Sequence, residues 1–362
     1  MIEDRVFRKE HPFYYLELVT LLKLMEIHMQ KLTRLLLILI LQVLSFNVLS
    51  QVEYGPRDFN VDDKWTAIVA AFEPEINAIN EAFANIDDAQ IDKIVTIKGV
   101  KYQIGTYKGE PIVIFTTGIS VPNAAMTMQM ALDYFPIDKV VMMGIAGAVN
   151  PAFKAGDIAI PERWYFHDES VYVNPNPNKS GEYILPEHYE KDLERYKARE
   201  SVDPNAPKYK NHGFIHPREV SVIRDGYNRP QKMPYFTVSS DLFKLAKKAL
   251  ITIDPIKMPS GKPINIILGG NGVTGSVYAD SANYRLWLRD VFTAEVTEME
   301  SAAVGQVCFV NGVDWIIIRS ISDLAGAQKG QNQVSVFDAI ASGTATKLMI
   351  GLLDQINIAE SM

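Results

Sequence analysis

The sequence predicts an α/β fold built on a largely parallel sheet, and three observations predict it. Short apolar runs recur at residues 66–72, 112–115, 139–143, 264–268 and 315–321. Their apolar character is continuous rather than alternating, the pattern of strands buried on both faces. Helix-compatible stretches lie between them, so a sheet covered by helices follows.

The elements can be justified in chain order. The run at 66–72 ends in Glu73-Pro74-Glu75. Residues 103–107 and 111–115, joined through Lys108-Gly109-Glu110, read as a hairpin, so the sheet is expected to be mixed. Helices fit residues 122–134, 240–252, 281–290, 301–311 and 336–356. Between about residues 172 and 234 the composition shifts to Pro, Asn, Lys, Glu and Tyr. This stretch reads as an excursion from a single domain spanning 51–362, a cap or interface arm rather than a second domain.

Residues 1–50 read as an extension outside that domain. Lys31 and Arg34 form a basic head, residues 35–41 with Val43 and Leu44 an apolar run, and Val48-Leu49-Ser50 a site that a signal peptidase accepts. This is the three-part pattern of an export signal, so cleavage near Ser50 and a periplasmic or extracellular location are expected. A spanning helix needs about 20 apolar residues, and Gln42, Ser45 and Asn47 interrupt this run. No stable membrane anchor is expected.

Composition narrows the function. The 362 residues carry 36 basic and 43 acidic side chains, a net charge of -7 with no local basic stripe, so nucleic acid is not an expected partner. A single cysteine, Cys308, rules out an internal disulfide framework and a cysteine-based metal cluster. The one histidine pair at i, i+4 spacing, His212 and His216, falls in the Pro- and Asn-rich stretch at 172–234 rather than on an expected helix, and no metal is expected. Neither glycine-rich stretch fits a nucleotide-binding fingerprint, so no nucleotide cofactor is expected either.

Ligands of parallel sheets bind beyond the carboxyl ends of the strands. Those ends carry Glu73-Pro74-Glu75, Gly144-Ile145-Ala146-Gly147, the glycine-rich 269–275, Glu298-Met299-Glu300 and Ser322-Asp323. A right-handed crossover through the small-residue helix at Ser301 would bring Glu300 and Asp323 to one edge, where Glu75 should join them. Three carboxylates at a glycine-lined mouth suit acid–base work on an uncharged, hydroxyl-rich substrate. Each has a plainer reading: Glu75 as the start of a solvated helix, Glu300 as a helix-dipole acid, Asp323 as a cap. The two glycine stretches could line a nucleoside or sugar, or could be tight turns. His167 reads as structural.

These residues resemble a known family. Glu298-Met299-Glu300-Ser301-Ala302-Ala303 followed by Arg319-Ser320-Ile321-Ser322-Asp323 resembles the closing signature of the nucleoside phosphorylase superfamily, especially its methylthioadenosine/S-adenosylhomocysteine nucleosidase branch. Gly144-Ile145-Ala146-Gly147, residues 154–161 and His167-Asp168 resemble its central block, and residues 71–75 its first motif. Asn271-Gly272-Val273 and residues 322–326 also resemble the secreted bark storage proteins of that superfamily.

The resemblance implies a three-layer α/β/α domain, a nucleoside substrate, and cleavage between ribose C1′ and a purine nitrogen. By motif position Asp323 would protonate N7, Glu75 would orient water, and Glu300 with the Met299 backbone would hold the ribose hydroxyls. Ala146, Gly147, Val273, Thr274 and Ser322 would line the substrate, with Arg319 a structural or anchoring cation. The aromatic–aliphatic pair that sandwiches adenine in that branch would fall at Val273-Thr274, leaving Tyr165, Phe166 or Tyr278 as substitute stacking faces. The branch's usual hydroxyl residue is replaced by Ile145. A homodimer or higher homo-oligomer is also implied.

Two rivals share the fold: a phosphate-dependent phosphorylase and a non-catalytic nucleoside-binding or storage protein. Phosphate needs positive partners, and the arginine that the superfamily's phosphorylases place ahead of the central glycine is Met142 here. Water is the expected nucleophile. When the chain is produced in a secreting bacterium, amino-terminal sequencing should find a mature chain that begins within a residue or two of Gln51. Retention of residues 29–50 would contradict the export reading.

Overall fold

The computed structural model describes residues 21, 24–25, 28–34, 62–332 and 334–361. Residues 28–34, with Lys31 and Arg34, are helical, whereas the apolar run and cleavage point at 35–51 lie outside the described residues. Among the described residues no helix is long and apolar enough to cross a membrane.

The chain proceeds through β1 (Trp65–Ala70), α1 (Glu73–Phe83), β2 (Ala89–Ile97), β3 (Val100–Tyr107), β4 (Glu110–Thr116), α2 (Val121–Tyr134), β5 (Ile137–Ala148), β6 (Ile158–Ile160) and β7 (Arg163–Phe166). The excursion holds β8 (Ser170–Tyr172), β9 (Asn174–Pro175), β10 (Tyr183–Ile184), α3 (Glu190–Val202), β11 (Ile215–Pro217), β12 (Val220–Val222) and β13 (Gln231–Met233). There follow β14 (Phe236–Thr237), α4 (Ser240–Thr252), β15 (Ile266–Leu268), β16 (Asn271–Thr274), α5 (Ala282–Phe292), β17 (Ala294–Glu298), α6 (Ser301–Asn311), β18 (Asp314–Asp323) and α7 (Val334–Glu360).

Strand β5 organises the mixed sheet, whose main path runs β14-β7-β16-β17-β5-β1-β4-β3-β2. It lies parallel to β1 on one side and to β18 on the other, and its last residues pair antiparallel with β17 at Val296↔Ala148 and Thr297↔Gly147. The far end of β5 is therefore shared between two strands, and the ends of β1, β17 and β18 gather around it. Beyond β1 the expected hairpin is β3–β4, with β2 outside it at the edge, and Lys108 and Gly109 both have positive φ (51° and 90°) as a two-residue I′ turn requires.

Both faces of the central strands are buried, as their unbroken apolar runs predicted. Ile68, Ile114, Val141, Met143 and Ile318 pack on one side with residues of α1, α4 and α7. The intervening Ala67, Val69, Val113, Phe115, Val140 and Met142 are also fully buried, on the opposite face. There α2 packs against α6, which also contacts β16 and β18.

Two expected loops are strands instead. Gly144–Gly147 lies inside β5, held by the register with β18, and residues 271–274 form β16, sandwiched between β17 and β7. Glycine serves close packing there: a Cβ at Gly272 would strike the Trp164 ring.

The excursion of short ribbons and α3 closes over Glu219, whose side chain is wholly buried. Its carboxylate takes Arg199 Nε at 2.9 Å, Arg195 Nε at 3.2 Å and the Tyr209 hydroxyl at 3.0 Å. Removing the acid would leave the Tyr209 hydroxyl without its partner and take one carboxylate from each arginine, Arg195 keeping Asp192 at 2.6 Å. Glu219→Ala should cost about 2 kcal/mol in denaturant titration. An unchanged midpoint would mean that the arm does not depend on this charge.

Candidate active site

Glu75 is placed by the way β1 passes into α1. Pro74 in the first helical turn needs no N–H partner and starts the helix directly after the strand. The Glu75 side chain turns inward, 1% exposed. Its Oε2 accepts the Ala71 N–H at 2.6 Å and its Oε1 the Ile145 N–H at 2.8 Å. It is no solvated helix acid. Burial pushes its pKa up, against the pull of Arg319 and the backbone donors.

Arg319 lies opposite Gly144 in the β5–β18 register. A Cβ at Gly144 would fall onto both the Arg319 guanidinium and the Glu75 carboxylate. The missing side chain is the space in which the two meet, with Nη1 3.7 Å from Glu75 Oε1. Nη2 pairs with Glu298 and lies 3.5 Å from Glu300 Oε2, while Nε donates to Ser301 Oγ at 3.1 Å. Burial works against the charge on Arg319, but Glu298, Glu300 and Glu75 outweigh it and hold the guanidinium protonated.

Glu298 ends β17 and is the closest partner of Arg319. It also accepts the N–H groups of Glu300 (3.0 Å) and Ser301 (2.9 Å) and the Thr274 hydroxyl. Glu300 precedes α6 without capping it. Its Oε1 instead accepts the Ser120 N–H at 2.9 Å, presented by a non-glycine backbone at φ 91°. Three carboxylates share one guanidinium in a dry setting, so full ionisation is unfavourable. Burial and then the Glu298 charge push Glu300 up to about 8.

Asp323 closes β18. Its Oδ1 accepts the Ala325 N–H at 2.8 Å, and its Oδ2 accepts the Ser322 hydroxyl at 2.9 Å. Gly147 leaves room for it, since a Cβ there would lie 3.0 Å from Oδ1.

Glu75, Glu300 and Asp323 border one cavity of about 210 Å3. Met299, Ala146, Gly147 and Ser322 line it as the sequence suggested. Arg319 does not: it lies behind the wall, 1% exposed, and holds the carboxylates. Val273 and Thr274 do not line the cavity either. They are interior residues of β16, Val273 in an apolar cluster with Tyr165 and Leu288, and Thr274 bonded to Glu298 and to the Ala302 N–H.

The chain turns toward the cavity four residues later, where Val277, Tyr278 and Ala279 form the wall. Of the substitute aromatic faces, Tyr278 alone is there. Tyr165 packs on Tyr235 and Phe292, and Phe166 on Phe236. Reading residues 271–274 as a loop rather than a strand caused the misplacement.

Glu298 was missed, although Glu-Met-Glu carries a signal for it: residues two apart at a strand end face the same side. His167 is buried against Tyr284 with Nδ1 2.8 Å from its hydroxyl, and desolvation lowers its pKa to about 4, so it stays neutral. It borders no part of the cavity.

The Glu300 shift predicts a pH dependence. The folded protein keeps this proton to about pH 8, whereas the unfolded chain loses it near 4.5. The associated stability is fully present below 4.5 and is lost as pH rises through 8. Glu300→Gln remains neutral, so its thermal midpoint should gain on the wild type from about pH 5 to about pH 9. A constant offset would contradict the shift.

Comparisons with known proteins bear on the family and the fold. The family model described as "Phosphorylase superfamily" matches residues 66–354. The 5'-methylthioadenosine/S-adenosylhomocysteine nucleosidase of Bacillus pumilus (strain SAFR-032) is 24% identical over 264 residues, covering 72% of this chain and 87% of its own. That of Buchnera aphidicola subsp. Schizaphis graminum is 26% identical over 302 residues, 82% of this chain and 98% of its own. Among solved structures, the futalosine hydrolase of Helicobacter pylori strain 26695 superposes with a TM-score of 0.55 at 19% identity, covering 81% of this chain and 98% of that one. The Helicobacter pylori 5'-methylthioadenosine/S-adenosylhomocysteine nucleosidase with butyl-thio-DADMe-Immucillin-A gives 0.56 at 20% identity, covering 81% and 99%. With the sheet and the motif residues already in place, the match over residues 66–354 means that the chain belongs to the phosphorylase superfamily.

Proposed function

We propose that this protein is a nucleosidase that hydrolyses the bond between ribose C1′ and a purine nitrogen. The observation that carries the reading is the meeting of Glu75, Glu300 and Asp323 around one cavity with no cation available to an incoming anion. None of the described residues lining it is Lys, Arg or His. Arg319, behind the wall, is already engaged by three carboxylates. A phosphate dianion needs positive partners and would find none free on this wall, whereas neutral water needs none.

Bond breaking leaves an oxocarbenium-like sugar and a purine that departs poorly as an anion. Asp323 gives its proton to N7, so the base leaves neutral. Glu75, made more basic by burial, takes a proton from water as the oxygen attacks C1′. Glu300 and the Met299 backbone hold the ribose hydroxyls, and Tyr278 with Ala279 supplies the face for the base. The named relatives act on 5'-methylthioadenosine and S-adenosylhomocysteine, and a related purine nucleoside is the proposed substrate class here.

Incubation with adenosine, inosine and methylthioadenosine, with uridine as the pyrimidine control, should release free purine from the first three at the same rate with and without phosphate. Strict phosphate dependence would make the protein a phosphorylase, and binding without release would make it a storage or carrier protein. Asp323→Asn should slow purine release by about 100-fold or more.

A further inference from the structure

The segment after β18 carries a polar network that the proposed reaction leaves unused. Asn332 lies just ahead of α7, and its Oδ1 accepts the Val334 N–H at 2.9 Å. That bond fixes which way the amide faces, because an amide oxygen accepts and its nitrogen donates. The Nδ2 group is thereby turned toward two carboxylates, 3.0 Å from Asp280 Oδ1 and 3.4 Å from Asp323 Oδ1. Gln328 is oriented in the same manner: its Oε1 accepts the Gly326 N–H at 3.2 Å and its Nε2 donates to Asp280 Oδ1 at 2.6 Å. Gly326, at φ 87°, lies where a Cβ would strike the backbone of residues 280–281, so the loop is pressed against Asp280.

With the Ala325 N–H, both lone pairs of Asp323 Oδ1 are occupied by N–H donors. A proton on this carboxyl therefore sits on Oδ2. We propose that Asn332 is a positioning residue for the Asp323 acid, confining the transferable proton to Oδ2 and stabilising the carboxylate left behind. The inference rests on the nucleosidase reading above. As the proton passes to N7, the O–H electron pair stays on Asp323 and the C1′–N pair goes to the purine. Negative charge grows on the carboxylate in that step, and the Asn332 N–H strengthens as it grows, so its contribution falls on kcat rather than KM.

Asn332 is also a helix cap, and the test must separate the two roles. Asn332→Ser keeps an oxygen for the cap and removes the amide donor. Its kcat on a purine nucleoside should fall about tenfold with KM within about twofold. The ratio of that rate to its rate on p-nitrophenyl β-D-ribofuranoside, whose nitrophenolate leaves without a proton, should also fall about tenfold. Asn332→Asp, which again keeps a cap but sets a carboxylate beside Asp323, should lower the ratio further. An unchanged ratio, whether from equal loss on both substrates or from full activity, overturns the assignment to Asn332. Asp323→Asn measured alongside reports on the underlying reading: wild-type nucleoside cleavage by that variant sinks the acid itself, whatever Asn332→Ser does.

Discussion

The site depends on one buried cation. Arg319 is 1% exposed, and burying a guanidinium there without partners would cost several kcal/mol. It stays there because Glu298, Glu300 and Glu75 surround it, and those carboxylates tolerate burial because it is present. The charges come from three separate parts of the chain, the start of α1, the β17–α6 junction and the middle of β18. Fold and chemistry are therefore joined at this point. The strands must close around β5 to bring the charges together, and closing them otherwise would bury an excess of negative charge.

Arg319 also separates the roles of the acids. Glu298, nearest to it and saturated with backbone and hydroxyl donors, belongs to the scaffold. Glu75 and Glu300 face the cavity with weaker holds on the guanidinium, and desolvation makes both more basic. Asp323 stands outside the cluster, bonded to Ser322 and Ala325. The cavity wall thus holds two acids tied to the buried guanidinium and a third, Asp323, that is not.

Much of this was legible in the sequence. The helices over residues 240–252 and 301–311 coincide with the observed α4 and α6, where the Ser239 hydroxyl accepts the Leu242 N–H to start the first and Gly312, in the left-handed conformation, ends the second. The buried strands were visible because burial on two faces leaves an unbroken apolar run. The carboxylates could be brought to one edge because crossover handedness is nearly invariant. What failed was local. Glycines within β5 and β16 read as loop signals, although their purpose is close packing against Arg319, Glu75 and Trp164, and that reason lies in residues far away in the chain. The same error moved the base-facing wall from residues 277–279 to Val273-Thr274. Asn332 had no readable signal at all, since its orientation follows from a backbone bond to Val334.

Gly144 has a wider consequence. With the volume of its absent side chain filled by an ion pair, β5 cannot be resized at this point without dispersing the charges, so the chemical half of the cavity is closed to gradual change. The wall at residues 277–279 is under no such restriction, and Tyr278 remains 55% exposed. Diversification of this scaffold toward other leaving groups would therefore proceed by remodelling the rim while the ionic floor is inherited intact.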